Sequence, residues 1–206
     1  MIYSRNAREL QTRIKTPLRV IGLTGGIASG KTVATTALRR AGYTVIDADE
    51  VSREMFACGT EGEKIIMPAF PQANDNGKLN RAALRKIIST DDDARQRLNE
   101  LTHPAIKERI KKLTAEKKPP VILSAPLLFE SGLSSLCDVT VCVYCPRSIR
   151  IKRLAARDNV TEDDAIKLID AQIPDTERCT IADYIVPNTG DSFVGEILEL
   201  IENIVR

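Results

Sequence analysis

The sequence predicts an α/β protein built on a parallel sheet flanked by helices. Three observations carry that prediction. Five short apolar or β-branched runs, starting near Leu18, Tyr43, Val121, Cys137 and Ala182, recur between stretches of helical periodicity. The first run breaks into a glycine-rich loop that opens a helix, Val20-Ile-Gly-Leu-Thr-Gly-Gly-Ile-Ala-Ser-Gly-Lys-Thr32. Between the second and third runs the alternation is interrupted by a helical stretch from Gly59 to about Lys118.

Composition bounds what such a protein does. At 206 residues and 43% hydrophobic, the chain suffices for one α/β core with insertions. Its 30 Lys and Arg against 28 Asp and Glu leave only +2, so no global field draws in nucleic acid or an anionic membrane, and any anion site is local. No run of ~18 apolar residues and no secretory h-region is present, which predicts a cytoplasmic protein. The five cysteines fit a reducing compartment. Cys137, Cys142 and Cys145 form C-x4-C-x2-C, but Cys142 lies inside a strand run and a fourth ligand is missing, so these read as packed thiols.

Residues 1–17 read as a short N-terminal extension, with Arg5, Arg8, Arg13 and Lys15 against Glu9, ending at Pro17. The strand from Leu18 then leads into G-x-x-x-x-G-K-[ST], in the strand, loop and helix order that motif requires. Glycines let successive N–H groups point inward at one anion, and the helix N-terminus adds partial positive charge there. Gly26, Ile27, Ala28, Ser29, Gly30, Lys31, Thr32 and Val33 therefore read as a nucleotide-phosphate site. Lys31 would reach the β- and γ-phosphates, and the Thr32 hydroxyl would join the shell of a Mg²⁺.

The helix runs through Ala34, Ala37 and Leu38 to a stop at Gly42. Tyr43–Ile46 is a second strand that delivers Asp47 and Asp49 at its carboxyl end, the edge of a parallel sheet where ligands bind. If strand alternation continues, both carboxylates share a face. Three roles stay open for them: magnesium ligation through water, general base for an acceptor hydroxyl, or, with Asp49 next to the following helix, an N-cap.

The interrupting stretch reads as helices at Glu61–Phe70 and Arg81–Ile88 around a turn at Asn74–Gly77. A further helix from Ala94 carries Leu98, Leu101, Ile106, Ile110 and Leu113. Thr90 is expected to cap it, with Asp91, Asp92 and Asp93 on the N-terminal dipole. Pro104, after the single histidine His103, is expected to break the helical run. The lysines and arginine from Lys107 to Lys118 read as a solvated face.

Val121–Ala125 is a fully buried strand ending in Ser124 and Ala125, where many phosphate-loop enzymes carry an acid that orients magnesium. That lack turns attention back to Asp47 and Asp49. After a fourth strand from Cys137 to Tyr144, Pro146 opens a helix with Arg150, Arg153 and Arg157 at i, i+3 and i+7 on one face. Thr161–Asp164 is a capping box for a helix to Gln172. The last strand, Ala182–Val186, precedes a terminal helix that Asp191 is expected to cap, with Val194, Ile197, Leu198, Ile201 and Ile204 as its apolar stripe.

Laid out in this way, residues 18 to 205 resemble the dephospho-CoA kinases. The likeness rests on Leu-Thr-Gly-Gly-Ile-Ala-Ser-Gly-Lys-Thr32, Val45-Ile-Asp-Ala-Asp49, Gly77-Lys-Leu-Asn-Arg81, His103-Pro104, Pro126-Leu-Leu-Phe-Glu130, Arg153, Arg157-Asp158 and Ala182-Asp183 with Asn188 and Gly190. The resemblance implies a P-loop kinase fold with a five-stranded parallel sheet flanked by helices. The nucleotide-binding core would comprise 18–58, 119–145 and 173–206, with a helical acceptor-binding lobe at 59–118 and a lid at 146–172. It implies transfer of phosphate from ATP, with Mg²⁺, to the ribose 3′-hydroxyl of dephospho-CoA, the last step of coenzyme A synthesis.

Carried over by position, Asp49 matches the general base, and Lys31 and Arg153 complete the catalytic set. Arg157 and Asn188 fall on ATP, Asn188 near the adenine. Asp47, Asp49, Arg81, His103 and Leu127 fall on the acceptor. Three departures stand out: Asn80 where Asp is usual, Pro187 in place of an Asp before Asn188, and arginine at 150 where glutamine is commoner. Another small-molecule kinase on the same core is the nearest rival reading. A slow NTP-hydrolysing switch ranks below it, because an arginine-bearing lid and an acceptor-sized insertion suit transfer. Oligomeric state is left open.

Overall fold

The computed structural model describes residues 3, 4, 18–57 and 59–206, so the basic cluster of the N-terminal extension and Cys58 lie outside the described residues. In chain order, β1 (Tyr3–Ser4) and β2 (Val20–Thr24) precede α1 (Lys31–Arg40), β3 (Thr44–Asp47), α2 (Ala48–Met55) and α3 (Glu61–Ile66). The hairpin β4 (Asn74–Asp75) and β5 (Lys78–Leu79) leads to α4 (Arg81–Thr90) and α5 (Asp92–Glu116). Then come β6 (Val121–Ser124), β7 (Val139–Tyr144), α6 (Arg147–Asp158), α7 (Glu162–Asp170), α8 (Asp175–Ile181), β8 (Tyr184–Pro187) and α9 (Phe193–Val205). Two compact units result: the chain up to Ile46 with Thr114–Arg206, and Asp47–Leu113.

The first unit is organised by the sheet. Its strand order is β1-β8-β7-β2-β6-β3, a five-stranded parallel sheet with β1 added antiparallel against β8. The loop-bearing strand β2 is therefore central, with Ile21 opposite Ile122 on one side and Val139 on the other. Ile21, Leu23, Ile122, Val141, Val143 and Val186 present one face to Ala34 and Leu38 of α1 and to Phe193, Ile197, Leu200 and Ile201 of α9. Burying each large aliphatic chain contributes about 1.5–3 kcal/mol, which seats α1 firmly behind the loop. On the opposite face Gly22 makes room for its neighbours: a Cβ there would lie 2.7 Å from Cys137 Sγ and 2.9 Å from Leu128. Burial, with Asp138 and Asp183 nearby, pushes the Cys137 thiol up to about 12. Among the described residues no group of three or more His, Cys, Asp or Glu is placed to hold a metal, and no helix is long and apolar enough to cross a membrane.

The second unit is built from local devices. Phe56, Ile66, Phe70, Ala73 and Leu84 form its core, with Leu79, Leu98, Leu101, Ala105 and Ile106 partly buried around it. Each helix is started by a side chain: Asp47 accepts from the N–H groups of Asp49 and Glu50 at 2.9 and 3.4 Å, and Thr60 from Glu63 at 3.4 Å. Asn80 accepts from Ala83 at 3.0 Å and Asp91 from Ala94 at 2.9 Å. The expected turn at Asn74–Gly77 is a two-residue hairpin, with Asn76 and Gly77 at φ 50° and 81°, the backbone an Asn-Gly pair favours. Buried Glu63 joins the pieces, accepting from Gly59 N at 2.6 Å and Leu79 N at 2.5 Å.

Several expectations are corrected here. Asp49 does not cap α2: Asp47 does, and because helix begins at Ala48 the two carboxylates do not alternate along a strand. Thr90 donates its hydroxyl to Lys86 O, and Asp91 takes the cap. Pro104 does not break α5, which continues to Glu116. Proline removes one N–H, but Leu98 and Leu101 before it and Ala105 and Ile106 after it pack on the same cluster, and that burial outweighs one lost bond. Asp191 does not cap α9, which starts after Ser192 without a side-chain cap. α3 stops at Ile66 and α7 at Asp170, both short of the expected ends.

Candidate active site

The phosphate loop lies between the carboxyl end of β2 and α1. Its turn is closed by Ser29 N donating to Gly26 O at 3.0 Å, and α1 opens with Val33 N donating to Gly30 O at 2.9 Å. Two residues take left-handed backbone, Ala28 at φ 61° and Gly30 at φ 102°. Gly30 is required on two counts, since a Cβ there would also lie 2.0 Å from Asn188 Nδ2. Gly26 is required by contact, because a Cβ would come within 2.5 Å of the Arg150 guanidinium.

These residues suit an anion. No side chain caps α1 and no acid occupies its first turn, and the Ser29 hydroxyl is buried without a hydrogen-bond partner. Lys31 Nζ donates to Ser124 Oγ at 2.8 Å. The register that sets Ser124 opposite Leu23 brings the end of β6 level with the loop, so the serine in the usual place of an acid holds the lysine by its head. Thr32 and Val33 follow, exposed on the first turn of α1, and the Thr32 hydroxyl offers an oxygen of the kind Mg²⁺ takes beside phosphates.

Side chains far along the sequence hold the loop. Asn188, buried just past β8, donates through Nδ2 to Ser29 O at 2.7 Å, and its own N–H goes to Tyr144 O at 2.7 Å. Gln172 Oε1 accepts from Ile27 N at 2.8 Å. Arg150 Nε donates to Ile27 O at 2.7 Å, and its guanidinium pairs with Asp175. Asp175 also pairs with Arg178 at 2.9 Å, which lies 3.5 Å from Glu130.

The expected row of three arginines is therefore divided. Arg150 is 1% exposed and belongs to the loop, not to an open helix face. Arg153 Nη1 lies 3.5 Å from Cys145 Sγ, a thiol that burial pushes up while Arg153 and Arg150 draw it down. Arg157 forms two bonds with Asp158, at 2.7 and 2.9 Å, and these hold that carboxyl below its ordinary range. Leu127 is exposed beyond β6.

The remaining named residues belong to the second unit. Asp47 places Oδ1 of its carboxylate in the cap, and Asp49 sits exposed in the first turn of α2. Arg81 Nη2 donates to Arg53 O at 3.2 Å and to Phe56 O, answering carbonyls at the end of α2. His103 is half-buried within α5, and that burial lowers its pKa. Sequence reasoning passed over Ser124 and Gln172 as partners of the loop. Ser124 was detectable as the polar residue ending an apolar strand; nothing local to Gln172 marks it.

Comparison with known proteins gives the family and the fold. A sequence profile of the family described as Dephospho-CoA kinase matches residues 19–193. The dephospho-CoA kinase of Moorella thermoacetica is 40% identical over 179 residues, covering 84% of this chain and 84% of that protein. Among solved structures, TT1252 from Thermus thermophilus superposes with a TM-score of 0.81 at 27% identity, covering 93% of this chain and all of that one. The dephospho-CoA kinase from Campylobacter jejuni gives 0.67 at 26% identity, with 91% and 97% covered.

Proposed function

The chain belongs to the dephospho-CoA kinase family, P-loop kinases that phosphorylate dephospho-CoA with ATP to give coenzyme A, and on that premise we propose how its residues divide the work. The observation that carries the proposal is the phosphate loop, a glycine-rich turn at an uncapped helix start with Lys31 held by Ser124 and the Ser29 hydroxyl buried without a partner. The loop from Gly26 to Gly30, with Lys31, Thr32 and Val33, binds the ATP phosphates, and the loop amides and Lys31 stabilise charge on the transferring γ-phosphoryl group. Thr32 would hold Mg²⁺ beside the phosphates, with Asp47 or Asp49 as the carboxylate that would reach it through water. When bound, the ion neutralises charge shared between the β- and γ-phosphates.

Asp49 accepts the proton of the ribose 3′-hydroxyl as that oxygen bonds to the γ-phosphorus and the bond to the β,γ-bridging oxygen breaks. Asp47 Oδ1 serves the cap while Asp49 stands exposed in the first turn of α2, which supports Asp49 as the member of the pair that meets the acceptor. Arg153 and Arg157 add positive charge as the 146–172 segment closes and excludes water, with Arg157 leaving Asp158 for phosphate. Asn188 borders the adenine, and Arg81, His103 and Leu127 contribute to the acceptor side. The substrates are small molecules, with no nucleic acid or membrane partner, and the enzyme works in the cytoplasm.

A coupled ADP-release assay with and without dephospho-CoA tests these roles. Asp49→Asn is expected to lower kcat about 100-fold with an unchanged melting temperature, and near-normal turnover would remove Asp49 from the mechanism. Chelation by EDTA is expected to abolish turnover and added Mg²⁺ to restore it.

A further inference from the structure

We propose that Gln172 and Arg150 are positioning residues that set the phosphate loop for ATP by gripping both peptide groups of Ile27. Gln172 Oε1 takes the Ile27 N–H at 2.8 Å, and Arg150 Nε gives a hydrogen bond to the Ile27 carbonyl at 2.7 Å. In a trans peptide the C=O and the following N–H point in opposite directions. Holding the Ile27 carbonyl on Arg150 therefore fixes the Ala28 N–H in the opposite direction, the side we assign to the phosphates. Fixing the Ile27 N–H likewise orients the Gly26–Ile27 peptide, whose carbonyl accepts from Ser29 N at 3.0 Å.

The grip acts where the backbone most needs it. Ala28 is a non-glycine residue at φ 61°, a conformation that persists only when its surroundings impose it. Without both contacts, rotation of the Ile27–Ala28 peptide would turn a carbonyl toward the phosphates in place of an N–H.

Arg150 suits this task because it is itself immobilised. Its side chain is 2% exposed and paired with Asp175, which Arg178 also holds at 2.9 Å, and the guanidinium fills the space a side chain on Gly26 would need. The two gripping residues stand near the two ends of the 146–172 segment, Arg150 in the first turn of α6 and Gln172 just past α7. A movement of that segment is therefore felt by the loop. The inference rests on the reading that the loop binds the ATP phosphates, and Lys31→Ala separates the two.

The test compares Gln172→Leu, Gln172→Glu, Arg150→Met and Lys31→Ala, measuring the Kd of ATP by calorimetry without acceptor and KM for both substrates. Gln172→Leu is expected to weaken ATP about tenfold while KM for dephospho-CoA stays within about twofold, the loss of one hydrogen bond that orients others. Gln172→Glu retains the acceptor oxygen but adds a negative charge beside the phosphates, so its loss of ATP affinity is expected to shrink as ionic strength rises, whereas that of Gln172→Leu is not. Arg150→Met is expected to weaken ATP and also to lower the melting temperature, so Gln172 carries the decision if that variant misfolds. Parent-like ATP affinity in folded Gln172→Leu, or a Gln172→Glu loss that high salt leaves equal to that of Gln172→Leu, overturns the proposal. If Lys31→Ala abolishes ATP binding while Gln172→Leu is normal, only the grip fails; if Lys31→Ala binds ATP normally, the loop reading fails and the grip with it.

Discussion

The two units of the molecule use their polar side chains in opposite ways. In the sheet unit they reach across the chain: Gln172 is 145 residues from Ile27, Asn188 is 159 from Ser29 and Lys31 is 93 from Ser124. In the Asp47–Leu113 unit the side chains that start helices act within a few residues, as Asp47, Thr60, Asn80 and Asp91 each answer an N–H two or three positions ahead, and the longer reaches of Glu63 and Arg81 span 16 and 28 residues. The first pattern makes one backbone conformation rigid at a single place, the second starts helices one at a time. Damage in the first is therefore expected in nucleotide handling, damage in the second in stability.

The largest effect that would break this contrast comes from Lys31→Ala. Turnover is expected to fall on the order of 100- to 1000-fold by coupled ADP release, with the melting temperature nearly unchanged, because the lysine serves charge on phosphate and buries little. A comparable loss of thermal stability would show that the Lys31–Ser124 contact is chiefly structural.

A smaller effect sharpens the other side. Asn80→Ala is expected to cost about 1 kcal/mol in urea unfolding, whereas Asn80→Asp, which keeps the acceptor oxygen toward Ala83 N, should leave stability unchanged or slightly raised. KM for ATP should not move in either variant. This also accounts for Asn at a position where the family resemblance leads one to expect Asp, since the cap needs only an oxygen.

The smallest effect concerns His103. Burial lowers its pKa below 6.5, so the folded state binds fewer protons than the unfolded state between the two values. The contribution is complete above pH 6.5 and is lost as pH falls through the window below it. Urea midpoints should therefore decline over that window, and His103→Gln should flatten the decline. An unchanged slope would assign the acid sensitivity to other groups.

Much of the fold was legible because it rests on local rules. Five apolar runs, the glycine loop and the Gly42 stop are each written in a few adjacent residues, and all appear within a residue or two of their expected places. Errors arose where two local rules competed, as with Asp47 against Asp49 or Thr90 against Asp91, since adjacent residues able to cap the same helix cannot be ranked without the backbone. Pro104 misled for a different reason, because the burial that carries α5 past it comes from residues distant in sequence.

The phosphate loop divides along the same line. The sequence alone determined that a loop of this kind stands between β2 and α1, because glycines, Lys31 and Thr32 in that order have few other uses. Only the tertiary structure decided what holds it: Ser124 on the lysine, Asn188 on Ser29, and Gln172 and Arg150 on Ile27. Hydrogen bonds of that reach depend on strand order and helix packing, which bring to one point residues whose separation along the chain carries no trace of the meeting.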